Sequence, residues 1–167
     1  MQTHWLCEFP WDRLEVRRTR DAWLRDATLW QSLDGRLGRA YQTSAAAPPS
    51  SHWQPLLPLQ TLAGASAGEP AEFHYAVETD VLPEHAEQLE AWYAQEHLPG
   101  LAAVPGTVQA WRFQRLAGGP RHIACYALTS PATLESTPWL AVRHTDWSSR
   151  VRPLFVNPRR TMFRRAG

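Results

Sequence analysis

The chain has 167 residues and not one lysine; all 17 of its basic residues are arginine. That excludes a Schiff base on the protein, a phosphate-loop lysine and a lysine general base. Cysteine is nearly as scarce. Cys7 and Cys125 lie far apart, match no metal or redox spacing, and each sits in an apolar, strand-like run. They are expected as buried free thiols, which suits a cytoplasmic protein. No run of 18 apolar residues is present, so no membrane span is expected. Residues 1–9 have neither the basic start nor the long apolar stretch of a signal peptide. There is no GxGxxG and no phosphate loop. An excess of one charge is also missing: 17 basic residues against 16 acidic give +1. Neither nucleic acid nor an acidic membrane is therefore an expected partner.

What is abundant is aromatic. Nine tryptophans imply a compact body or an aromatic-lined pocket, because each buries a large area. Two small-residue stretches punctuate the chain. Ser44-Ala45-Ala46-Ala47-Pro48-Pro49-Ser50-Ser51 reads as a loop. Residues 63–70 read as a flexible connector between an N-terminal part, 1–62, and a C-terminal part, 71–167. The first part is too small to hide its tryptophans alone, so the two are expected to pack as one body.

The C-terminal part has clear periodicity. Residues 73–79 alternate Phe73, Tyr75, Val77 against His74, Ala76, Glu78, which predicts a two-faced strand. Pro83-Glu84 opens a helix whose face carries Leu82, Ala86, Leu89, Tyr93 and His97. Strands are expected at 107–114 and 121–128, with Gly118-Gly119-Pro120 turning the chain between them. Ser130-Pro131 starts a second helical stretch, and residues 155–164 supply a fourth strand. The order β-α-β-β-α-β is the split βαβ plan. The N-terminal part reads as a worn copy: a strand at 3–9, a mostly helical 12–33, a strand near 39–43, and a third at 52–62. Pro55 and Pro58 argue for an edge or a kink in that third strand. The copy's second helix and fourth strand are expected to be missing.

The most informative run is Trp92-Tyr93-Ala94-Gln95-Glu96-His97-Leu98-Pro99-Gly100, followed by Val104-Pro105-Gly106. It reads as a helix end with an aromatic pair and an acid–imidazole pair, stopped by Pro99 and Gly100. Together with Asp80-Val81-Leu82-Pro83-Glu84-His85, Tyr126-Ala127-Leu128-Thr129-Ser130-Pro131 and Arg159-Arg160-Thr161-Met162-Phe163, it resembles the EthD-like members of the dimeric α/β-barrel superfamily. The resemblance covers residues 73–167. It implies an α+β, ferredoxin-like unit of the dimeric α/β-barrel type, here with a degenerate N-terminal copy making a pseudo-dimer. Members of that superfamily include isomerases, cyclases, cofactor-free monooxygenases and heme enzymes. In the N-terminal copy, aligned on Trp23, Thr28 stands where His97 would and Trp30 where Pro99 would.

The candidate chemistry follows from side-chain type. An imidazole ordinarily titrates near neutrality, so His97 is a candidate for proton transfer; the plainer reading is a helix-end cap. Tyr93, one turn earlier, and Glu78 are its candidate assistants. His74, Glu78, His122 and Tyr126 lie on the more polar strand faces and are expected to point into the barrel cavity, with Arg112 beside them. Trp92 is expected to help wall the ligand. His74, Glu78 and His122 could ligate zinc or iron in principle, but no tight spacing supports a metal, and no ligand motif singles out a heme histidine. The arginine pairs 17–18, 159–160 and 164–165 read as solvated faces or edge-strand protection. The expected protein is a cofactor-free enzyme moving a proton on a hydrophobic, ring-containing substrate, or a non-catalytic barrel that binds such a ligand. Homodimer and self-contained pseudo-dimer both remain open.

Overall fold

The computed structural model describes residues 2–166. Eight antiparallel strands close into a barrel. They are β1 (Thr3–Pro10), β2 (Leu29–Ser32), β3 (Leu37–Ser44), β4 (Trp53–Ala63), β5 (Phe73–Asp80), β6 (Thr107–Arg115), β7 (His122–Leu128) and β8 (Val156–Ala166). Around the barrel the order is β1-β3-β2-β8-β5-β7-β6-β4. Two quartets are visible in it, β4-β1-β3-β2 and β8-β5-β7-β6, with the same neighbour order. They are sewn together by β2–β8 and β4–β6 pairing. Closure removes every sheet edge, so the two prolines of β4 lie in a strand paired on both sides. Pro55 lies opposite Trp5, and Pro58 sits at a register shift against β6.

The N-terminal quartet differs from the sequence reading. Residues 12–33 are not one helical stretch. A short helix α1 (Leu14–Arg20) is broken at Asp21, and α2 (Ala22–Asp26) follows. Asp21 is the reason: its carboxylate accepts from the backbone of Trp23 and Leu24 while its second oxygen accepts from Trp53 Nε1 at 2.8 Å and Ser50 Oγ at 2.9 Å. The helix start is thus tied to the loop before β4. Leu29 to Ser32 then form β2, so this quartet has all four strands. Gly35 turns β2 into β3 at φ +74°. A second helix is absent: the connection from β3 to β4 is a loop.

In the C-terminal half the helix runs on past its expected stop. Residues of α3 (Ala86–Trp92) lead into a single π turn, Tyr93–His97, and then α4 (Leu98–Ala102). Leu98 N donates to Tyr93 O, five residues back. Pro99 lies in the first turn of α4, where its missing N–H is tolerated. Gly100 is there for proximity: a Cβ would lie 2.8 Å from Val142 of α5 (Thr137–Arg143). The turn into β6 comes at Gly106, with φ +98°. Ser130 caps the turn after β7, Ser136 caps α5, and Thr145 caps α6 (Asp146–Val151). Residues 64–66 are fixed by backbone bonds to Val108, Ala102 and Thr107.

Two cores result. One lies between the C-terminal helices and the outer face of the sheet, around Leu89, Trp92, Leu98, Tyr126 and Trp139. The other lies inside the barrel, around Leu6, Leu56, Phe113, Ile123 and Phe163. A third cluster seats α2 on the N-terminal quartet through Leu24, Cys7 and Trp53. Both cysteines are buried and unpaired.

Candidate functional site

Alternation on β5 sends His74, Ala76 and Glu78 into the barrel and Phe73, Tyr75 and Val77 toward the helices, as the sequence suggests. On β7 the expected parity is reversed. Ile123 and Cys125 face the barrel core, whereas Ala124 and Tyr126 join the helix-side core. The eight residues singled out in the sequence therefore divide. His74 and Glu78 are inside the barrel. Trp92, Tyr93, His97, Arg112, His122 and Tyr126 are on the helix side. His97 is separated by the sheet from His74 and Glu78, and the three candidate metal ligands do not converge. No group of three or more metal-ligating side chains forms among the described residues.

The barrel interior holds a buried ion cluster that the sequence did not reveal. Glu8 and Arg39 are cross-strand partners on β1 and β3; Glu78 and Arg159 are partners on β5 and β8. Arg39 bonds Glu8 and also Glu78, the latter at 2.8 Å. Arg115 reaches Glu78 at 2.7 Å, and Arg159 reaches Glu8 at 2.9 Å and Glu78 at 2.8 Å. Burial alone would push the Glu78 carboxyl up; the charges of Arg39 and Arg159, with the hydrogen bonds they give, hold it down to about 2. Arg159 is thus a partly exposed member of the ion cluster.

Arg39 links this cluster to an open cavity. Its Nη1 donates to Tyr41 Oη at 3.3 Å, and Tyr41 Oη lies 2.8 Å from His74 Nε2. With the arginine donating to the phenol oxygen, the phenol proton is directed to Nε2, which makes His74 the Nδ1–H tautomer. Burial, then the charge of Arg39, lower the His74 pKa to about 3, so the ring is neutral at pH 7. Burial likewise pushes the Tyr41 phenol well above its usual range. The cavity has a volume of about 410 Å³, and its walls are largely aromatic: Trp5, Trp30, Trp111 and Phe113, with His4 and Thr43. The His4 ring packs on Phe113 at 5.6 Å, and its Nδ1 is 3.2 Å from Thr43 Oγ1. Volumes from about 300 Å³ upward suit a small organic ligand.

The helix side is tighter. Arg112 forms a two-pronged bond to Glu90 at 2.8 and 2.9 Å, with its guanidinium 4.3 Å from the Tyr93 ring centre. His122 Nδ1 lies 3.1 Å from the same carboxylate. These two residues fasten α3 to the sheet. His97 sits on the π turn, stacked on Trp92 at 4.1 Å. Burial and then Arg152 and Arg143 lower its pKa to about 3. The space it borders, with Trp92, Tyr93 and Tyr126, is about 50 Å³.

Sequence reasoning missed His4, Trp30, Tyr41 and the Glu8–Arg39 pair because it treated the N-terminal half as worn. A usable signal was there: Arg39, Tyr41 and Thr43 alternate on one strand, and Glu8 sits in an otherwise apolar one.

No family model matches the chain, and no curated protein does. Solved structures do. A ferredoxin-fold protein from Listeria monocytogenes 4b F2365, described as related to antibiotic biosynthesis monooxygenases, aligns with a TM-score of 0.69 at 10% identity over 100% of this chain and 95% of its own. An anthrone oxidase-like protein aligns at TM-score 0.64 and 14% identity, over 99% and 91%. A heme-degrading enzyme from Listeria monocytogenes aligns at 0.61 and 10%, over 96% and 98%. The chain thus shares the mixed α+β, ferredoxin-like fold of these structures. At such identities the likeness is one of fold, and fold does not carry chemistry. No helix among the described residues is long and apolar enough to cross a membrane.

Proposed function

We propose that the barrel cavity takes a flat, apolar, ring-containing compound and promotes proton transfer at a carbon whose deprotonation places charge on a conjugated carbonyl oxygen. The observation that carries this reading is the Tyr41–His74 hydrogen bond of 2.8 Å inside a 410 Å³ cavity walled by indole rings. A neutral His74, held with a free Nδ1–H by the Tyr41 phenol proton at Nε2, is a hydrogen-bond donor placed where a carbonyl oxygen gains charge as it becomes an enolate. His4, at the cavity wall and only partly buried, is the imidazole suited to take the proton from carbon and pass it to water. This moves histidine-mediated proton transfer away from His97, because the space beside His97 is too small for a ring.

The same strand order in both quartets supports reading the chain as a fused pseudo-dimer, with 1–62 and 71–167 as its halves. Kinship with EthD-like proteins rests on the helix run around His97. The anthrone oxidase-like neighbour suggests anthrone as a probe. Deuterium exchange at the anthrone ring methylene, followed by NMR, isolates proton transfer without needing an oxidant. Exchange should be accelerated by the protein, and Tyr41→Phe or His4→Gln should slow it by roughly 100-fold. Tryptophan quenching by anthrone should persist in both variants. Rates within threefold of the parent would refute the roles, and no saturable quenching would refute the site.

A further inference from the structure

The small space on the helix side carries a second, independent reading. Arg143 at the end of α5, Arg152 just past α6 and Arg160 on β8 converge on it. None of the three forms an ion pair among the described residues, although arginines elsewhere in this chain do so repeatedly. Burial, then the charges of Arg143 and Arg160, lower the Arg152 pKa. Three like charges are therefore held together without a counter-charge.

Polar groups around the same space are also unmatched. Trp92 Nε1, His97 Nδ1 and Tyr126 Oη are buried and lack any hydrogen-bond partner. Trp92 is fully buried, Tyr126 is 1% exposed and His97 9%. A single buried donor left unpaired costs about 1–3 kcal/mol, and here three such groups border one space with three unpaired cations. Tyr75 and Tyr93 add two further hydroxyl-bearing side chains to the lining. The indole is an obligate donor, the phenol and the neutral imidazole can each donate, and guanidinium carries donors only. Each of these polar groups is of the kind that an oxygen anion accepts from, beside an apolar lining that includes Val77, Leu101 and Phe155.

We propose that this space between α3, α5, α6 and the outer sheet face is a binding site for a small oxyanion, a carboxylate or phosphate group, held by Arg143, Arg152 and Arg160 with Trp92, His97 and Tyr126 as inner donors. At about 50 Å³ it takes a single anionic head group and no ring. The site lies across the sheet from the barrel cavity and stands or falls apart from the function proposed for that cavity.

The probes are sodium phosphate and sodium acetate, titrated against the full chain at constant ionic strength in a chloride background. The readouts are thermal unfolding and the His97 imidazole proton resonances. We expect a saturable rise in Tm and a shift of the His97 resonances with at least one anion. Phosphate alone would assign the phosphoryl class and acetate alone the carboxylate class. Arg152→Gln and His97→Phe should each weaken binding at least tenfold. Should either variant fail to fold, the His97 resonance shift in the parent protein still decides. A response matched by chloride, unchanged in a folded Arg152→Gln protein, or absent with both anions would overturn the proposal and leave the space to water.

Discussion

Replacing Glu78 by Gln removes one charge from the interior ion cluster and changes almost no volume. Glu78 is fully buried and bonds Arg39, Arg115 and Arg159. Its carboxyl is held at about 2 against an ordinary 4.5. At 1.36 kcal/mol per unit, that shift corresponds to about 3 kcal/mol of stability at pH 7. Breaking a buried pair by removing one partner costs about 3–5 kcal/mol, because the other charge stays buried. After the change, three guanidiniums would face the single carboxylate of Glu8. Urea unfolding followed by tryptophan fluorescence should therefore show a loss of about 3–5 kcal/mol at pH 7. The pH dependence has a definite sign. A depressed carboxyl stabilises the fold above its unfolded pKa, and that gain fades as pH falls from about 4.5 toward 2. The gap between parent and variant must shrink over that window. A loss under about 1 kcal/mol at pH 7, or a gap that widens on acidification, would refute the assignment of Glu78 as an ionised hub.

Both thiols are pushed to about 12, chiefly by burial, so neither should react with a thiol reagent at pH 8 until urea unfolds the chain. Gly106→Ala should cost more than about 1 kcal/mol, read by urea unfolding, because φ is +98° and a Cβ would collide with Thr133. Arg112→Met should lower stability while anthrone exchange stays unchanged, since Arg112 fastens α3 through Glu90 outside the barrel cavity. Light scattering should find a monomer, because both seams of the barrel close within one chain.

The C-terminal strands were legible because each has a regular alternation bounded by turn residues. Which face of β7 looks inward was not. The reading assigned the more polar face, His122, Ala124 and Tyr126, to the cavity. All seven residues of β7 are buried, so polarity could not distinguish the two sides. Partners decided it: Glu90 takes His122, and Tyr126 packs its ring edge-on against Trp139 at 5.3 Å. In the N-terminal half, four-residue β2 is too short for a period to emerge, and it follows directly on helix α2. Pro99 and Gly100 misled for another reason. They look like stop signals, but proline fits a first turn and glycine admits Val142, so each serves the packing of a continuing helix.

The alternation of β5 explains how one sheet can carry two chemically different spaces. His74 and Tyr75 are adjacent in sequence and point to opposite faces. One lines the aromatic cavity and the other the arginine-rich space. The barrel side pairs its three guanidiniums with Glu8 and Glu78, and burial with the charge of Arg39 keeps the cavity's imidazole uncharged. Among the described residues the helix side places no such carboxylate in an ion pair with Arg143, Arg152 or Arg160, so their positive charge stays available. A one-residue slip of β5 would exchange the two faces, and the glutamate of the cluster would meet the helices instead of Arg39. Register, fixed by β7 and β8 on either side, is therefore what keeps the aromatic cavity and the arginine-rich space apart. Substitutions along this strand must be judged by parity before side-chain type.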